Sequence, residues 1–145
     1  MNIWEFQQRV ARRLIGVNLM NVAFGALLSS QRDAPFLRGV GTQAVGWAGI
    51  NILLGSVGSL ANRRRAQQPT ADALPARRRE RRNLSLLLWV NAALDLVYIF
   101  GGWRWAQRSE AYSFRRGSGI GVMLQGALLL IFDLFHVLII PRQRN

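Results

Sequence analysis

The chain has 145 residues, half of them hydrophobic, with 19 basic and 7 acidic side chains and a net charge of +12. That length fits one domain of ordinary size, and the absence of Cys excludes disulfides, thiolate metal sites, cysteine nucleophiles and palmitoylation. In a soluble protein such charge would indicate nucleic acid; here the apolar residues gather in four blocks with the Arg between them, so the partner indicated is a bilayer with anionic headgroups and not nucleic acid.

A hydrocarbon core ~30 Å thick takes roughly 20 residues of helix. Each block meets that requirement and is bounded by Arg, so the spacing predicts spans over about 10–30, 39–61, 84–106 and 118–140. Ahead of the first, Ile3, Phe6, Val10 and Leu14 recur at helical spacing between Glu5, Gln7, Gln8 and Arg12. That pattern fits an interfacial helix and a frayed terminus equally well. Arg9, Arg12 and Arg13 before an apolar run also resemble a signal peptide, but Asn18 and Asn21 interrupt the run and no clear A-x-A site follows. The segment is therefore expected to stay. Asn18, Asn21 and Gly25 share one stripe of this helix.

The second block carries Gln43, Trp47 and Asn51 on a slowly drifting stripe. Its Ala44-x-x-x-Ala48 and Gly55-x-x-x-Ser59 make flat faces, as does Gly121-x-x-x-Gln125-Gly126 in the fourth block. Such faces suit contacts within a bundle, a homodimer or another membrane protein partner. Residues 62–83, NRRRAQQPTADALPARRRERRN, are expected to form a basic cytoplasmic linker with a mobile centre. Its Arg clusters are first a topology signal and second a lipid-headgroup or regulatory patch.

In the third block Asn91, Asp95, Tyr98 and Gly102 follow one helical stripe. In the fourth, Gln125, Asp133 and His136 fall within a narrow arc. A charged carboxylate at mid-membrane costs ~2.5–3.5 kcal/mol on insertion scales, so Asp95 and Asp133 should face protein or water. The side holding both termini and the linker has Arg9, Arg12, Arg13, Arg63–Arg65, Arg77–Arg79, Arg81, Arg82, Arg142 and Arg144. The other side has only Arg32, Arg38, Arg104, Arg108, Arg115 and Arg116. The positive-inside rule then places both termini in the cytoplasm. Trp4, Trp103 and Trp105 fall near span ends, where amphipathic rings favour the interface.

Three readings compete for the buried polar set. Amides and acids can simply lock helices together, at about 0.6 kcal/mol per interhelical hydrogen bond. They can instead hold a small polar or cationic solute or a proton, with Asp95 and Asp133 as counter-charges and Asn18, Asn21, Asn51, Asn91, Tyr98 and Gln125 as hydrogen-bonding partners. Asp133-x-x-His136 also matches half of a metal-binding bundle pattern, but one His and no Cys leave its shell incomplete. No metal and no cofactor are expected. No Gly-rich phosphate loop and no nucleophile–base arrangement stands out, so the chain is not expected to be an enzyme.

Two runs carry a resemblance. Asn91-Ala92-Ala93-Leu94-Asp95-Leu96-Val97-Tyr98 followed by Gly101-Gly102 resembles N-A-x-L-D-x-x-Y-x-x-G-G. Gly119-x-Gly121 followed by Gln125-Gly126-x-x-Leu129-Leu130-x-Phe132-Asp133 resembles G-x-G and then Q-G-x-x-L-L-x-F-D. Both resemble a bacterial family of small four-helix integral membrane proteins of unknown function, as do Trp47-x-x-Ile50-Asn51 and Asn21-x-x-x-Gly25. The resemblance touches all four spans. It implies that the amides and both acids belong to the family pattern; His136 does not, and no activity comes with it. The expectation is an all-α, integral membrane four-helix bundle built from two helical hairpins. Its polar interior binds or transports a solute, or else belongs to an accessory subunit and only fixes helix packing.

Overall fold

The computed structural model describes residues 2–141, so Arg142 and Arg144, used above for orientation, lie outside the described residues. All regular structure among them is helical: α1 (Ile3–Ser29), α2 (Pro35–Ala66), α3 (Leu74–Gln107) and α4 (Phe114–Leu138). The boundaries have local causes. Asn2 caps α1, its side chain accepting from the Trp4 and Glu5 amides while Glu5 reaches back in a capping box. Pro sits in the first turn of α2 and of α3, where its missing N–H is no loss. Ser113 caps α4 by accepting from the Arg116 amide.

All four helices are long and apolar enough to cross a membrane. With 27, 32, 34 and 25 residues they exceed the span of a ~30 Å core at ~1.5 Å per residue. The helices run past the spans expected from hydropathy. The segment between α2 and α3 that is not helical shrinks to residues 67–73, and both Arg clusters ride on helix. Arg and Ala are good helix formers and pairing two antiparallel helices needs only a short turn, which accounts for the extension.

The polarity of the bundle is inverted relative to a water-soluble one. Large apolar side chains such as Met20, Phe24, Leu54, Val97 and Ile131 face outward, while Asn18, Asn51, Asp95, Gln125, Asp133 and His136 are buried. Exposed oil on every helix with amides and acids inside is the arrangement lipid demands. The molecule is a multi-pass membrane protein.

The packing is that of two hairpins, α1 with α2 and α3 with α4, joined mainly through α2 against α4. Small residues set each contact. A Cβ on Gly25 would lie 2.9 Å from the Gly41 carbonyl oxygen, and one on Gly126 would lie 2.9 Å from the Asp95 carbonyl oxygen. Gly39 and Gly117 bring α2 and α4 together so closely that any side chain on either would strike the other helix's backbone. Ala44 and Ala48 are buried too, and Gly55 meets Ile15, so these flat faces are spent within the bundle.

At the linker end, Ile3, Phe6 and Val10 are buried with Trp4, Leu84, Leu88, Ala71 and Ile140. The first turns of the chain are thus neither an interfacial helix nor frayed: they form the apolar foot of the bundle, where α1 meets α3.

Candidate functional site

Gly102 and Gly126 remove the side chains that would hold α3 and α4 apart, so the Asp95 stripe lies directly on α4. Side chains lean toward the N-terminus of their own helix. On antiparallel neighbours the leanings converge, and Asp95 and Asp133 stand side by side within the membrane-spanning part of the bundle. They are 3% and 6% exposed, and Asp95 Oδ2 has no hydrogen-bond partner among the described residues. Carboxylate oxygens only accept, so two carboxyl groups can hydrogen-bond to each other only when one of them carries a proton.

The other polar residues form two further pairs. Asn51 donates from Nδ2 to Asn18 Oδ1 at 3.2 Å, and Asn18 donates to the Leu14 carbonyl at 2.8 Å. Asn21 and Gln125 exchange amide hydrogen bonds at 2.6 and 3.4 Å, joining the first hairpin to the second. These residues thus make an amide pair inside hairpin one, an acid pair inside hairpin two and an amide pair across them. Tyr98 does not hydrogen-bond to Asp95: its ring stands edge-on to Trp47 at 4.7 Å between centroids. Asn91 is half-buried one turn before Asp95 and makes no side-chain hydrogen bond among the described residues.

His136 has its own surroundings. Its Nδ1 lies 2.7 Å from the Phe132 carbonyl and its Nε2 3.4 Å from Arg13 Nη1. A carbonyl can only accept and a guanidinium can only donate, so Nδ1 carries the hydrogen and Nε2 accepts. The ring packs among Phe6, Phe132 and Phe135. Asp133 and His136 share a helix but face different partners. Among the described residues no three His, Cys, Asp or Glu side chains gather as a metal would need.

A second polar group, at the linker end, is absent from the sequence reading. Glu80 is buried, ion-paired to Arg65 Nε at 3.3 Å and receiving a hydrogen bond from Gln7 Nε2 at 3.2 Å. Asn62 donates to the Trp4 carbonyl at 3.0 Å and to Gln8 Oε1 at 3.2 Å. Trp4 donates from its indole to the Ala71 carbonyl at 3.2 Å, so it faces the protein and not the bilayer interface. The available signal was Glu80 itself, the sole acid within the Arg77–Arg82 run.

A model of a family of unknown function, DUF6992, matches residues 13–134, which takes in every residue of the three interior pairs. No curated protein and no solved structure matches the chain.

Proposed function

This chain belongs to the DUF6992 family of unknown function, and from that premise we propose that its Asp95–Asp133 pair is a proton-holding site at which a small cationic or polar solute is bound or moved. One observation carries the reading: two buried acids stand side by side and Asp95 Oδ2 has no hydrogen-bond partner among the described residues, while amides elsewhere in the same interior are paired. Helix locking needs no acid. An Asn pair already does that duty in the first hairpin, through Asn18 and Asn51. A carboxyl pair adds the capacity to release a proton and attract a cation in its place. The setting we propose is a bacterial inner membrane with the linker and both termini in the cytoplasm, on the strength of the Arg excess at that end.

The competing reading is an accessory membrane subunit whose polar pairs only fix helix register. The reciprocal Asn21–Gln125 pair favours it, because that pair leaves neither amide free for a ligand.

The test compares Asp95→Asn, Asp133→Asn and the double variant in sealed vesicles carrying a pH-sensitive dye. Under the proposed function the double variant stays folded, since amide can replace acid in the same shape, and proton or cation flux falls at least tenfold. Unchanged flux in a folded double variant would exclude the acids as the site and leave the accessory reading.

A further inference from the structure

At the linker end α2 and α3 make no extended contact, and a groove of about 390 Å³ opens between them with α1 behind it. Its lining is graded. Leu14, Leu54 and Leu87 make one part apolar, while Asn62, Arg65 and Glu80 make the other polar. Arg65 and Glu80 also line an adjoining chamber of about 370 Å³, into which Arg79 projects. Gly58 lies along the groove with nothing within 4 Å of the place a Cβ would occupy.

Two acceptors on this groove have no donor among the described residues, Asn62 Oδ1 and Gln7 Oε1. Asn62 is only 4% exposed. Neither amide can be turned round to cure the defect. The Asn62 nitrogen is committed to two oxygens, and the Gln7 nitrogen to Glu80. Buried polar groups in folded proteins are nearly always paired, so these two oxygens ask for an N–H or O–H from outside the chain.

We infer that the groove binds one glycerophospholipid from the leaflet at the linker end. An acyl chain lies along the leucines, the phosphate meets Arg65 and Arg79, and a headgroup N–H or O–H is donated to Asn62 and Gln7. The planar Arg fork suits a phosphate. The volume falls within the ~300–1,000 Å³ of small-ligand sites. The polar part offers both a cation for the phosphate and acceptors for a donor beside it, which selects phosphatidylethanolamine or phosphatidylglycerol over phosphatidylcholine, whose trimethylated nitrogen has no hydrogen to give. The site shares no residue with the Asp95–Asp133 pair, so either assignment can fail alone.

The experiment is native mass spectrometry of the full chain extracted from vesicles of equal phosphatidylethanolamine and phosphatidylcholine, with Gly58→Phe and Arg79→Gln alongside. One phosphatidylethanolamine retained in preference to phosphatidylcholine is the expected result. Each variant should lower its retention about tenfold, equivalent to ~1.4 kcal/mol, with helix content by circular dichroism unchanged. Gly58→Phe fills the apolar lane from a position with free space, and Arg79→Gln removes an exposed charge, so neither threatens the fold. Equal retention of the two lipids, or full retention by both variants, overturns the assignment. So does displacement of the lipid by glycerophosphoethanolamine at equal concentration, which would mean that the groove holds a free headgroup. A dimer that Gly58→Phe splits without loss of lipid would assign the groove to a second copy and overturn it too.

Discussion

The single histidine shows how far residue type alone can mislead. One His three positions after an acid suggests a proton relay or half a metal site, yet the structure gives His136 a carbonyl, a guanidinium and three phenyl rings for neighbours. Its service is packing and a link from α4 to α1. We expect His136→Ala to behave as a large-to-small core change, costing about 2–5 kcal/mol, measured by denaturant unfolding in mild detergent. The variant should leave flux through a still-folded molecule unaltered. Asp95 and Asp133 were legible from the sequence because a helical stripe and the cost of charge in lipid both mark them. Their pairing was not legible. It depends on Gly102 and Gly126 letting α3 and α4 approach, a fact of two helices that no single stripe encodes.

The elements were legible as spans, because a block of ~20 apolar residues has few alternatives. Their ends were harder to place. Arg-rich sequence at a predicted loop also has good helix propensity, and the structure uses it that way from Leu74 through Asn83. Glycine carries a parallel lesson. Gly46 and Gly126 look alike in sequence, but a Cβ on Gly46 meets nothing within 4 Å and one on Gly126 meets the Asp95 carbonyl. Gly46→Ala is therefore expected to stabilise α2 by roughly 0.5–1 kcal/mol. Gly126→Val should destabilise by about 1–3 kcal/mol as an overpacked contact. Thermal unfolding of the two variants in one detergent checks both signs. Equal midpoints would contradict the close approach of α3 and α4.

At the scale of the whole molecule, the two hairpins repeat a plan. Gln43 and Asn51 stand in α2 as Gln125 and Asp133 stand in α4, and Asn18 precedes Gly25 in α1 as Asp95 precedes Gly102 in α3. The inner pair is Asn with Asn in one hairpin and Asp with Asp in the other. The matching eight-residue spacings in α2 and α4 are visible in the sequence, but no single offset aligns both helices of the two hairpins. The proposed orientation is testable on a chain that has no Cys of its own. Cys placed at Asp33, in the exposed α1–α2 turn, should react with a membrane-impermeant maleimide from outside intact cells. Cys at Gln68, in the α2–α3 linker, should react only after the membrane is opened. The reverse result would invert the topology and place the lipid groove in the outer leaflet.

The arginines beside the linker stand on the continuing turns of α2 and α3, not on loose chain. A basic side chain near an anionic surface is worth about 1 kcal/mol, and here Arg63–Arg65 and Arg77–Arg82 are carried on helix beyond the apolar blocks. Like a loaded hull, the bundle has a set draught. In an anionic bilayer such a bundle would resist bobbing or tilting, and a membrane of the wrong thickness would have to bend toward it.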